Sequence, residues 1–137
     1  MAIILVRFGK VRSAFLQQAE AHYVDLLNKV KVPLEIRNLK GKDHKTADTQ
    51  LIVEKYKDEA KVFLLAEKGT IYDSVQFSKL LTPALSNHDP VYFIMGGPFG
   101  WQYDLLPSNF KLLSLSPLTF PHELASVVIL EQIYRAN

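Results

Sequence analysis

The sequence predicts an α/β fold in which a mostly parallel sheet carries helices on both faces. Three observations predict it. Short apolar runs at residues 3–6, 62–65 and 91–95 are rich in β-favouring residues and show no polar alternation, as strands buried on both faces do. Between them lie stretches whose apolar residues recur at three- and four-residue steps. Strand and helix then alternate almost to the last residue, a pattern that builds parallel sheets.

Each element has its own local reason. Ile3, Ile4, Leu5 and Val6 make a first strand that turns at Gly9, and Arg7, Lys10 and Arg12 cluster around the turn. Ser13 is placed to cap a helix reaching about Lys29, with Phe15, Ala19, Tyr23, Leu26 and Val30 as its apolar face. Val32, Leu34 and Ile36 alternate with polar or constrained residues, and Pro33 sets that strand near a sheet edge. Residues 40–45 hold three lysines and a histidine. Such a run is either a solvated loop or an arm that contacts phosphates. A helix follows from Thr46 or Asp48 to about Lys57, with Leu51, Ile52 and Tyr56 inward. After the strand at 62–65 comes a loop at 66–69, then a short helix that Ser74 caps and Pro83 ends. Residues 86–90 return the chain to the strand at 91–95, which stops at Gly96-Gly97-Pro98. A short strand at 112–115 runs into the loop 116–121, and a final helix starts at His122.

Composition bounds the rest. A chain of 137 residues with 48% hydrophobic and 22% charged residues is one domain with room for a real core. A net charge of +2 permits nucleic-acid binding without requiring it. The lack of cysteine excludes disulfides, thiolate metal sites and cysteine nucleophiles, and four scattered histidines form no metal constellation. The apolar run at residues 2–6 is too short for a signal segment or a membrane span, which predicts a cytoplasmic protein.

The segment IMGGPFGW followed by LSLSPLTFPHELASVVILEQIYRA resembles the RlmH-type rRNA methyltransferases, a branch of the SPOUT superfamily, and nearly the whole chain can be laid along that family. The resemblance implies a trefoil-knotted α/β fold and S-adenosylmethionine as cofactor. It implies methylation of a pseudouridine ring nitrogen in large-subunit rRNA, free or in the assembled ribosome. Cofactor contacts fall to Leu65, Gly97, Ser116, Pro117, Leu118, Thr119, Phe120 and Pro121. Three departures from the family pattern follow. Ala66 stands where relatives have the Asp of a Leu-Asp-x-x-Gly turn, and Ser126 stands where the final helix usually carries an arginine. The Tyr-His-Arg-like tail of relatives is not found before Asn137, which predicts weak or no turnover by this chain. The alternative reading is a degenerate homologue that keeps the fold, and cofactor or RNA binding, without turnover.

A uracil-like ring nitrogen must lose its proton as the methyl arrives, so a proton acceptor is needed. His122, Glu131 and Arg135 are the polar candidates. Each has a plainer reading: His122 as a first-turn histidine bonded to backbone, and Glu131 with Arg135 as an i, i+4 ion pair. The final helix carries Leu124, Val127, Val128, Ile129, Leu130, Ile133 and Tyr134, more than one apolar stripe. That excess predicts a two-fold homodimer built on this helix, as in the relatives.

Overall fold

The apolar runs become five parallel strands: β1 (Ile3–Phe8), β2 (Leu34–Leu39), β3 (Lys61–Ile71), β4 (Val91–Met95) and β5 (Phe110–Ser114). Their order across the sheet is β2-β1-β4-β3-β5. The computed structural model describes residues 2–86 and 89–137, so the predicted return through residues 86–90 lies partly outside the described residues. Helices α1 (Ala14–Lys29), α2 (Lys45–Tyr56), α3 (Ser74–Ser86) and α4 (His122–Arg135) connect and follow the strands. A short 3₁₀ turn, Tyr103–Leu105, lies between β4 and β5.

Side-chain alternation divides the core. Ile3, Leu5 and Phe93 point to the face covered by Leu27 of α1, Phe77 and Leu81 of α3, and Ile129, Leu130 and Ile133 of α4. Ile4, Val6 and Ile94 point to the other, covered by Ile52 and Tyr56 of α2 together with Trp101 and Phe110. Each such side chain, fully buried, contributes about 1.5–3 kcal/mol. β4 lies between β1 and β3, and all its residues are buried. β2 forms one edge and is half-exposed, as its alternation and Pro33 foretold.

Four expectations fail. The face of α1 is rotated from the predicted one: Leu27 is buried, whereas Phe15 is 72% and Val30 46% exposed. Its buried side also takes in Glu20, whose carboxylate pairs with Arg7 of β1. A charge partner on the sheet thus helps to choose the stripe. Ser13 precedes α1 without a side-chain capping bond. The carboxylate of Glu123 on α4 accepts from the backbone N–H groups of Arg12 and Ser13, the two residues before α1, and so ties α4 to the start of that helix. α3 continues past Pro83 to Ser86, because a proline removes only its own amide from the ladder. β3 runs on to Ile71, so residues 66–69 are an irregularity inside a strand and not a loop between elements.

A fifth concerns the ground given for the dimer. Ile129 and Leu130 are fully buried within one chain, since α4 packs on the sheet between α1 and α3. The apolar excess of α4 is absorbed internally. It gives no ground for a partner.

The two amide bonds hold the Glu123 carboxyl below its ordinary value of 4.5. A depressed carboxyl stabilises fully above its unfolded pKa and loses that effect as the pH falls through the folded value. Glu123→Ala should therefore lower the urea midpoint at pH 7, and its deficit against the parent chain should shrink as the buffer is taken well below pH 4.5. A deficit that persists unchanged into acid would show that the carboxylate charge is not what ties α4 to the start of α1.

Candidate functional site

In a parallel sheet the strands' C-terminal ends feed loops on one edge, and ligands bind in the crevice those loops make. Here the ends of β3, β4 and β5 surround a cavity of about 540 Å³. β3 contributes through a break in register. Leu65 pairs with Leu113 of β5, and so does Thr70, so the residues between them leave the ladder. Gly69 closes the break with its Cα hard against β5: a Cβ there would lie 2.6 Å from the backbone N and C of Leu113.

Fixed bonds join the three loops. The Trp101 indole Nε1–H donates to the carbonyl of Leu65 at 2.9 Å and ties the loop after β4 to the end of β3. Gly96 permits this, because a Cβ would stand 3.0 Å from Trp101 Nε1. The Thr119 hydroxyl donates to Glu67 Oε1 at 2.9 Å and links the loop after β5 to β3. Ser116 Oγ accepts from the Leu118 amide at 2.9 Å, so this hydroxyl serves its own turn. The first turn of α2 reaches in from the other side. Thr49 Oγ1 accepts from the Gln102 amide at 3.0 Å, and Asp48 Oδ1 accepts from the Lys42 amide at 2.6 Å. The lysine-rich loop and the glycine loop are thereby held on one helix.

Of the predicted cofactor residues, Leu65, Gly97, Ser116, Leu118, Thr119 and Phe120 line this cavity, whereas Pro117 and Pro121 do not. Phe99 and Leu118 stand at its mouth, 51% and 72% exposed. Lys45 and Lys68 supply positive charge on the wall, and the Lys68 ammonium lies 4.9 Å from the centre of the Tyr103 ring. Burial, then the nearby Glu67 charge, pushes the Tyr103 phenol above its usual pKa.

A smaller cavity of about 320 Å³ adjoins the first and shares with it Met95, Gly96, Gly97, Pro98 and His122. Arg7 and Ser126 also line it. The Arg7 guanidinium donates from Nη1 to Ser126 Oγ at 2.7 Å and from Nε to Asn38 Oδ1 at 2.6 Å, and it pairs with Glu20.

Among the catalytic candidates, His122 borders both cavities. Glu131 and Arg135 line neither and form an i, i+4 ion pair at 2.9 Å, the plainer of their two readings. Sequence reasoning missed Trp101, Tyr103 and Arg7. Only the glycines that precede Trp101 hinted at it, because a large ring after so flexible a loop needs a specific bed. Nothing in the order of residues says that Arg7 meets position 126. Among the described residues no helix is long and apolar enough to cross a membrane, and no three metal-ligating side chains stand together.

Comparison with known proteins gives a coherent answer. The family model described as predicted SPOUT methyltransferase matches residues 1–137. The chain is similar to ribosomal RNA large subunit methyltransferase H of Pseudothermotoga lettingae, at 33% identity over 99% of this chain and 93% of the relative. It is similar to the protein of that name from Solidesulfovibrio magneticus at 34%, covering 96% of this chain and 90% of the relative. The one from Acholeplasma laidlawii matches at 31%, over 100% and 93%.

The register break depends on Gly69. In Gly69→Ala a methyl group would meet backbone that cannot rotate away, so β3 and β5 must separate there. The expected cost is about 2 kcal/mol or more, as for overpacking in a closed core, read as a lower denaturant midpoint with weakened ligand binding. An alanine variant as stable as the parent chain would mean that the break is looser than described.

Proposed function

Because the chain belongs to the SPOUT methyltransferase family, we propose that it transfers a methyl group from S-adenosylmethionine to a pseudouridine ring nitrogen in large-subunit ribosomal RNA, acting in the cytoplasm on RNA or on the assembled ribosome. The observation that carries the reading is the convergence of three strand-end loops, tied by the Trp101 and Thr119 bonds, on one cavity of about 540 Å³. The residues present fit an adenosyl ligand. Leu65, Leu118 and Phe120 offer apolar walls, and the Gly96-Gly97 backbone borders the cavity, the missing side chains leaving room for Trp101 against Gly96 and for Asp48 and Phe8 against Gly97. When bound, S-adenosylmethionine supplies an electrophilic methyl group on its sulfonium.

The chain's own residues then have positioning and a proton to manage. The tied loops hold a ligand in one pose, which is where much of the rate advantage of a transfer arises. His122 borders both cavities, so it is the side chain placed to accept the ring N–H proton when the N–C bond forms and the S–C bond breaks. Glu131 and Arg135 are left out of the chemistry by their mutual pairing. The loop carrying Lys40, Lys42 and Lys45, fixed by Asp48, contacts RNA phosphates without reading sequence. A second copy of the chain covers exposed Phe15 and Leu124, the apolar residues nearest the Glu123 link between α1 and α4.

Calorimetry should show S-adenosylmethionine and its demethylated product binding the parent chain, and Gly97→Val should abolish binding while leaving a cooperative melt. No heat and no thermal stabilisation at millimolar ligand would refute the cofactor reading. His122→Gln should keep product binding and lower methyl transfer to ribosomal RNA by roughly a hundredfold, the lower range for losing a general base. Light scattering should give about twice 15.6 kDa, and a clean monomer would remove the second copy.

A further inference from the structure

The function proposed above uses the larger cavity and leaves the smaller one without a role. Buried Arg7 and Ser126 and exposed Lys10 and Arg12 line it, and among the described residues it shares the 95–98 segment and His122 with the larger cavity. Arg7 is 7% exposed on a strand whose preceding residues are all apolar. A buried guanidinium costs several kcal/mol unless it is paired and fully bonded, and an aliphatic residue there would often hold the fold as well. Three elements are nonetheless committed to it: Asn38 of β2, Glu20 of α1 and Ser126 of α4.

The charge balance points the same way. Arg7, Lys10 and Arg12 line the cavity against one carboxylate, Glu123, and Arg7 is paired with Glu20, so the excess positive charge rests on Lys10 and Arg12. The wall is therefore cationic. A transfer reaction requires its acceptor atom about 3–3.5 Å from the donor group, so the acceptor must enter from a space that shares a partition with the cofactor's. The smaller cavity has that relation to the larger one. Ser126 on α4 is the residue whose hydroxyl the Arg7 guanidinium reaches from β1, at 2.7 Å, so a cation on either element would stand at nearly the same point.

Resting on the methyltransferase reading, we propose that the smaller cavity receives the acceptor base of the RNA, with Lys10 and Arg12 on its flanking phosphates and Arg7, delivered from β1, as the positioning residue of its floor.

The test removes the charge and then restores it from α4. Arg7→Met with Glu20→Gln deletes both members of the buried pair, so neither charge is left stranded. That variant should bind the demethylated cofactor product within about twofold of the parent while its KM for ribosomal large subunits rises about tenfold or more, with weaker co-sedimentation, the usual scale for losing a charged contact. Adding Ser126→Arg should recover most of the loss. Unchanged KM and co-sedimentation in the double variant, or no recovery in a triple variant that still binds the product, would overturn the proposal. Should the double variant fail to bind the product, Lys10→Ala with Arg12→Ala reads the same cavity from its exposed rim. A raised KM and a flatter salt dependence would support the proposal, and parent-like behaviour would overturn it. A parent chain that neither sediments with large subunits nor methylates them defeats the methyltransferase reading and this inference together, whereas an active parent indifferent to these changes defeats the inference alone.

Discussion

The bond from the Trp101 indole N–H to the carbonyl of Leu65 is the constraint on which the site depends. At its last residue a strand gives up its ladder partners, and its free backbone groups must find others or water. Here the last carbonyl of the regular part of β3 is met by a side chain from the loop after β4. That bond fixes the distance between two strand ends, and the cavity is the space between them. Thr119 on Glu67 and Thr49 on the Gln102 amide repeat the device for the neighbouring loops. The wall is thus made of loops that hold one another, which is how irregular backbone can present a defined surface to a ligand.

The opposite side of the site is organised by charge. Arg7 on β1 draws Glu20 of α1 inward, and Glu123 of α4 takes the amides of Arg12 and Ser13 just before α1, so the two helices are locked through acids that a hydrophobic count ignores. The same pair of contacts rotates α1 until Leu27 is buried and Phe15 is left in water. It also sets the first turns of α4, which hold His122 and Ser126, against the loop at residues 95–98. Packing the helices and shaping the smaller cavity are one event.

What could be read in the sequence was what local composition dictates. The five strands, their alternation with helices, the edge position of β2 and the glycine loop after β4 all follow from short windows, because burial on both faces and tight turns leave marks in adjacent residues. The larger cavity was legible through its loops, and the family resemblance of GGPFGW and LTFPH sharpened it to residues. The failures share a different cause. Arg7 and Ser126 are 119 positions apart, and Glu123 and Ser13 are 110 apart, so no window contains both partners. A trefoil knot is a property of how the whole chain threads, which periodicity does not encode.

The final helix shows why an apolar count alone cannot separate burial from partnership. Leu124, Val127, Val128, Ile129, Leu130, Ile133 and Tyr134 do cover more than one stripe, and the inference of a second burying surface was sound. The surface is supplied by the same chain: β4 and its neighbours lie beneath α4 while α1 and α3 flank it, leaving Ile129, Leu130 and Ile133 with no exposure. A helix in the middle of a three-helix layer needs apolar residues below and on both sides, so its pattern resembles that of an interface helix. What distinguishes the cases is the residue on the outer line. There α4 places exposed Leu124 followed by the Glu131–Arg135 pair, so its outer line is mixed where an interface helix would carry an unbroken apolar one.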